Sequence, residues 1–242
     1  MKNALFIKST PSTNDLLKNL ARNTDYPEGF CLHTDFQTAG KGQQGNKWES
    51  QKGKNLLFSK IIYPSHISID GQFIISQLIS LALKKTLDKY TEHITIKWPN
   101  DIYWKDEKIG GILIENSLQG SAIRYSVMGV GLNINQTEFS ENIPNPVSLK
   151  QITRKTYRRK PILKDIRENF MKMYREISPE SVKAEYAESL YHKDGFHPYI
   201  LPNDESFSAK IVCVKDDGQL ILETSAGEIK GFYFKEVQFV IS

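Results

Sequence analysis

Cysteine is scarce. The 242 residues hold two, Cys31 and Cys213, far apart and in no metal-binding spacing. That excludes a disulfide scaffold and a thiolate zinc site, and reads as two thiols in a reducing compartment, the cytoplasm. Long apolar runs are missing as well. None reaches the ~20 residues that a membrane-spanning helix needs, so no membrane partner is expected. The opening MKNALFIKST lacks a long apolar stretch with a small-residue cleavage site, so it does not read as a secretory signal. None of the histidines (His33, His66, His93, His192, His197) stands four residues from another, which removes the helical zinc pair. A Gly-x-Ser-x-Gly elbow is absent. The net charge of +4 is too small to announce a polyanionic partner. Its densest source, RKTYRRK at 154–160, reads as a solvated face, with a phosphate contact as the alternative.

What is present is a chain long enough for one good core and a small second unit. A strand at 4–7 leads to a helix opened by Ser12, Thr13, Asn14 and Asp15, where a hydroxyl can cap free N–H groups. Leu16, Leu17, Leu20 and Ala21 give that helix its apolar face. Strands are expected at 30–36, 55–63, 94–98, 111–116 and 123–135, with a helix at 71–90. Pro161 is placed to begin a second long helix with the stripe Ile162, Ile166, Phe170, Met173 or Tyr174, and Ile177. Ser178 is placed to cap a third. From 195 onward short β runs alternate with Asp217-Gly218 and Ala226-Gly227, which is hairpin punctuation. The expected division is 1–193 for the larger unit and 194–242 for a small β-barrel.

Gly40-Lys41-Gly42-Gln43-Gln44-Gly45 matches G-x-G-x-x-G after a strand. A strand follows it, whereas a dinucleotide fingerprint needs a helix whose N-terminus binds pyrophosphate. No Ser or Thr follows Lys41 as a Walker loop requires. The remaining use is general: glycines let a loop approach a ligand and turn N–H groups toward an anion, and Trp48 can stack on a flat base. Gly129-Val130-Gly131-Leu132-Asn133 puts glycines inside a strand, a mark of close approach or of a bulge. The run IKWPNDIYWKDEKIGGILIE at 96–115 gathers Lys97, Asn100, Asp101, Lys108 and Gly111. It reads as two strands around a charged turn, with two lysines and one acid on a common rim.

Taken in order, these segments resemble biotin protein ligases: Ser12-Thr13-Asn14, then Gln37 and the loop from Gly40 to Trp48, then Lys97-Trp98-Pro99-Asn100-Asp101, then Lys108 to Glu115, then Gly129 to Asn133. The resemblance implies an α+β fold, a mixed and mostly antiparallel sheet packed by helices like a class II synthetase core, with an SH3-like C-terminal barrel. It implies attack of biotin carboxylate on the α-phosphorus of ATP, giving biotinyl-5′-adenylate, and transfer of biotin to a lysine of the biotin carboxyl carrier protein of a biotin-dependent carboxylase. By resemblance, Lys108 is catalytic and touches the reacting carboxylate and phosphate. Ser12, Thr13, Asn14, Gln37, Lys41, Gly42, Gln43, Lys108 and Gly111 form the biotin side. Gly40, Trp48, Lys97, Asn100, Asp101 and Asn133 form the ATP side. Mg²⁺ accompanies ATP, with Asp101 as the metal-side acid.

Two departures from the family pattern stand out. The loop's usual second and fourth positions are arginines; here they are Lys41 and Gln43. Lysine keeps the charge without the bidentate fork and glutamine drops the charge, so weaker retention of the adenylate is expected. Eleven residues precede Ser12, which implies the form without an N-terminal helix-turn-helix domain and without sequence-specific DNA binding. Family members either pair as homodimers through the catalytic sheet or stay monomeric. A lipoate ligase shares the adenylation logic. A nucleic-acid module built on 154–160 and the small barrel is a reading from another class, and it leaves the ordered motifs unexplained.

Overall fold

The computed structural model describes residues 3–176 and 178–241. In chain order the elements are β1 (Ala4–Ile7), α1 (Thr13–Asn23), β2 (Cys31–Thr34), β3 (Leu56–Ile62), α2 (Phe73–Leu87), β4 (Ile94–Lys97), β5 (Asp101–Trp104), β6 (Glu107–Gln119), β7 (Ala122–Leu132), α3 (Leu149–Thr153), α4 (Arg159–Arg175), α5 (Pro179–Glu188), β8 (His197–Ile200), β9 (Ser206–Val214), β10 (Leu220–Thr224), β11 (Ile229–Phe232) and β12 (Gln238–Phe239). A seven-stranded sheet runs β1-β2-β3-β7-β6-β5-β4. β1 and β2 are parallel and the other neighbours antiparallel. The chain thus has the expected α+β architecture.

β3 explains how the layers form. All seven of its residues, LLFSKII, are buried, because both faces of the sheet are covered. Alternate side chains enter different cores. Leu56, Phe58 and Ile62 join the larger one with α2 and α4. Ile61 joins Leu17 and Ala21 of α1 in the smaller. Burying a side chain such as Leu17 contributes roughly 1.5–3 kcal/mol. Ser59 and Lys60 are the polar exceptions and need partners inside. Lys60 Nζ donates to the Gly29 carbonyl at 2.8 Å and lies over the Phe170 ring. Burial pushes its ammonium down to about 8, against a weaker pull from Cys31.

Several expectations change in detail. The run 96–115 is not two strands but a meander of three, because Asp101–Trp104 pairs with β4 on one side and β6 on the other. The charged turn joins β5 to β6, while Trp98, Pro99 and Asn100 turn β4 into β5. Pro161 lies inside the first turn of α4, which begins at Arg159. The last position of its expected stripe, Ile177, lies outside the described residues. Ser178 precedes α5 without a side-chain capping bond. Helix α3 goes unread in the sequence, although Ser148 and Gln151 form a reciprocal capping box.

The C-terminal strands form a five-stranded antiparallel sheet, β11-β10-β9-β8-β12. Its turns hold Gly218 at φ 90° and Gly227 at φ 82°, a region where glycine is favoured. The β9–β10 turn reaches the larger sheet. Trp98 Nε1 donates to the Gly218 carbonyl at 2.9 Å, and the Phe73 N–H points to the Asp216 carbonyl. Tyr199, Leu222 and Phe239 share one core with α2 and β4.

Candidate active site

The site opens where α1 begins. Ser12 caps the helix, its Oγ accepting from the Asp15 N–H at 3.4 Å. This fixes Thr13 and Asn14, both nearly fully buried, in the first turn against the sheet. The Thr13 N–H and hydroxyl both donate to Gln37 Oε1, at 2.7 and 2.9 Å. Asn14 Nδ2 donates to the Leu113 carbonyl at 3.2 Å and to Glu115 Oε2 at 2.7 Å. Ser59 Oγ lies 2.7 Å from Thr13 Oγ1 and 2.6 Å from Asn14 Oδ1. Asn14 can come this close because position 129 has no side chain: a Cβ there would lie 2.4 Å from Asn14 Oδ1.

The glycine-rich loop is a small hairpin. Trp48 N–H donates to Gly40 O at 3.0 Å and Gly42 N–H to Asn46 O at 2.7 Å. Gly40 closes its root, since a Cβ would meet the Trp48 carbonyl at 2.4 Å. The hairpin lays the Trp48 indole on the sheet. Gly111 and Gly131 are register partners on β6 and β7, and a Cβ on either would press on that ring, at 3.2 and 2.3 Å. The sequence reads Gly131 as close approach or a bulge, and the resemblance puts Gly111 on the biotin side. In the structure they are the seat of Trp48.

Beside the ring stands the charged pair. A bulge between Ile102 and Tyr103 sets Lys108 opposite Tyr103, and Lys108 Nζ meets Asp101 Oδ1 at 2.7 Å. Segment 145–147 holds the Lys108 backbone through Lys108 N–H to Asn145 O and Val147 N–H to Lys108 O. Nζ lies 6.0 Å from the Trp48 ring centre. Asn100 clamps β6 from the preceding turn: its Nδ2 donates to Ile112 O at 2.6 Å and its carbonyl accepts from Ile112 N–H at 2.9 Å.

The helix start, the hairpin and the facing strands β6 and β7 line one cavity of about 240 Å³. Every residue predicted for the site lines it except Gly40, Lys97 and Asn133. Gly40 sits at the loop root. Lys97 is turned to the rings of Tyr103 and Phe239, at 5.4 and 5.1 Å. Burial lowers its ammonium, with Asp101 opposing and Lys108 adding to the shift. Asn133 is buried and accepts from Asn55 Nδ2 at 3.2 Å, within a knot that includes Gln136. Two buried polar atoms of the lining, Trp48 Nε1 and Gln43 Oε1, have no hydrogen-bond partner among the described residues.

Sequence reasoning gave no role to Ser59, Asp15, Lys18 or Glu115. Ser59 leaves a signal, a hydroxyl beside Lys60 in the middle of an otherwise apolar strand. The others form a chain of alternating charge. Lys41 Nζ meets Asp15 Oδ2 at 2.5 Å, Asp15 Oδ1 meets Lys18 Nζ at 3.2 Å, and Lys18 closes on Glu115 Oε1. Burial would raise the Asp15 carboxyl, but bonds from Lys41 and Lys18 hold it below its ordinary range. Burial would lower Lys18, but Glu115 and Asp15 hold it above.

Both the sequence and the fold match known proteins. The sequence model of the biotin/lipoate A/B protein ligase family matches residues 6–133. The chain is 30% identical over 234 residues to the bifunctional ligase/repressor BirA of Bacillus subtilis, covering 94% of this chain and 71% of that protein. It is 30% identical over 244 residues to the human biotin–protein ligase, covering 93% of this chain and 32% of that protein. Its fold superposes on the biotin protein ligase of Aquifex aeolicus in complex with biotin and ATP with a TM-score of 0.81, at 27% identity, over 100% of both chains. The span of the family match and the ordered site residues lead to one conclusion: this chain belongs to the biotin/lipoate A/B protein ligase family.

Proposed function

We propose that this chain activates biotin with ATP as biotinyl-5′-adenylate, releasing pyrophosphate, and then passes biotin to a carrier lysine. The observation that carries this reading is the Lys108–Asp101 pair beside Trp48, in one cavity with the polar set Ser12, Thr13, Asn14 and Gln37. Biotin is a carboxylate with a ureido ring. Groups that pair with the ring select it, and an analogue that leaves them unpaired is rejected. Such pairing puts the carboxylate toward Lys108. When its oxygen attacks the α-phosphorus, negative charge grows on phosphoryl oxygens, and a fixed ammonium beside them lowers the barrier. The Trp48 indole shields the resulting anhydride from water. The lysine amine of the carrier then attacks the anhydride carbonyl. An amide forms and AMP leaves.

We assign the carrier as the biotin carboxyl carrier protein of a biotin-dependent carboxylase. Mg²⁺ fits as a companion of ATP. Among the described residues no group of three acidic, His or Cys side chains could hold an ion, and Asp101 is the one acid on the cavity wall. Mg²⁺ commonly takes one or two carboxylates and completes its shell with phosphate and water. Bound there with Asp101, it would offset phosphate charge. We place the protein in the cytoplasm, in keeping with its free Cys31 and Cys213; no helix of the described residues is long and apolar enough to cross a membrane. We also divide the chain into 1–193, carrying the site, and 194–242. The test is ATP–pyrophosphate exchange with biotin or lipoate as the acid. Exchange with biotin is expected. Exchange with lipoate alone would overturn the choice of substrate.

A further inference from the structure

We propose that Asp15 is a positioning residue for this reaction, the hub of a charge chain that latches the glycine-rich loop over the cavity and steadies the amide of Asn14. The proposal rests on the ligase reading above. Asp15 does not line the cavity. It acts through its neighbours.

Three pieces of structure meet at its carboxylate. One is the loop, whose Lys41 spans the gap from hairpin to helix. The second is the helix start, where Asp15 N–H binds the Ser12 cap. The third is β6, reached through Lys18 and Glu115. Glu115 then receives Asn14 Nδ2 at 2.7 Å. The order along the chain is plus, minus, plus, minus and amide. Each carboxylate touches two donors, so moving one member disturbs the next.

A lone surface ion pair would contribute little. Lys41 is 52% exposed and Asp15 34%, and by themselves they belong to that class. The chain differs because Lys18 and Glu115, 25% and 30% exposed, hold Asp15 from behind. The carboxylate is therefore in place before Lys41 arrives, and little ordering cost remains when the loop closes. Gln43 supplies no charge at the loop tip, so the latch falls to Lys41. Asp15 is also in the first turn of α1, where an acid is favoured by the helix dipole. That local role predicts a change in stability, not in loop closure, and the two can be separated.

The test uses the full chain and the variants Asp15→Asn, Lys41→Met, their combination, and Asp15→Glu. Release of preformed biotinyl-adenylate into solution is followed together with KM for biotin and kcat for pyrophosphate exchange. Asp15→Asn and Lys41→Met are each expected to speed release and raise KM about fivefold, and Asp15→Asn, outside the cavity, keeps kcat within about twofold of wild type. The double variant is expected to match either single one, since both break the same contact. Asp15→Glu restores most of the retention. High salt speeds release from the wild type and leaves Asp15→Asn unchanged. Effects of the single variants that multiply in the double variant would overturn the latch. So would unchanged or slower release in Asp15→Asn. Should Asp15→Asn fold poorly, Lys41→Met on the loop reads the same contact. A wild-type protein that forms no biotinyl-adenylate would instead overturn the ligase reading.

Discussion

Replacing Gly131 by alanine is expected to lift the Trp48 indole off the sheet. The new Cβ would stand 2.3 Å from Trp48 Cε2, 2.6 Å from Nε1 and 2.7 Å from Cδ2. Carbon atoms in good contact are ~3.5–4.0 Å apart, so the overlap is on the order of 1 Å across one edge of the ring. An indole cannot bend to absorb this, and its hairpin is closed at the root by Gly40 and Trp48. The ring must leave with the loop. Overpacking of this kind costs about 1–3 kcal/mol when the neighbours yield. That cost falls on the closed loop and leaves the β6–β7 ladder intact, so the loop opens roughly 5–150-fold more readily. Trp48 emission is expected to shift to the red, while biotin-dependent pyrophosphate exchange falls and the far-UV spectrum is retained. Trp48→Ala removes the clash, so adding Gly131→Ala to it costs no further activity. Unchanged emission and exchange in Gly131→Ala would refute the seating of the ring. A further loss in the Trp48→Ala background would show that Gly131 acts otherwise.

Gln43→Arg restores a charge at the loop tip and is expected to slow adenylate release, measured by stopped-flow or trapping; no slowing would contradict a deficit at this position. Lys60 makes the protein pH-sensitive at the alkaline side. Its folded value of about 8 lies below the free value of 10.5, so the unfolded chain binds more protons between them and stability rises across that window. The penalty below about pH 8 is about 3 kcal/mol, and Lys60→Met is expected to flatten the rise in denaturant midpoint from pH 8 to 10.5. His192 acts at the acid side. Burial, with help from His197, pushes its imidazole down to about 4, so stability is full above pH 6.5 and is lost as pH falls toward 4. His192→Asn, which tolerates the φ of 59° there, is expected to weaken that acid loss in thermal melts.

The parts of the site legible in the sequence are those where local chemistry and position coincide. Ser12 before an apolar helical pattern is a cap in any fold, and the structure has it so. Lys108 and Asp101 read as opposite charges on a common rim, and both line the cavity. What escaped depends on packing between distant segments. Lys97 looks equivalent to Lys108 along the chain, yet the C-terminal Phe239 draws it to another set of rings. Gly131 reads only as close approach or a bulge because nothing local says that Trp48, from a loop far away in sequence, will rest on it. Asp15, Lys18 and Glu115 look like ordinary surface charges until α1 and β6 come together. Strand β5 was hidden because its four residues lie between two turns and join their neighbours only through the register of the meander.

Biotin transfer is read most directly by mass spectrometry of a biotin carrier domain incubated with this protein, biotin and MgATP, run beside Lys108→Ala. One added biotin on a single carrier lysine is expected with the wild type and none with Lys108→Ala, whose fold is unchanged by circular dichroism. A carrier that gains no biotin from the wild type would contradict the proposed function. A carrier biotinylated equally well by Lys108→Ala would contradict the role given to Lys108.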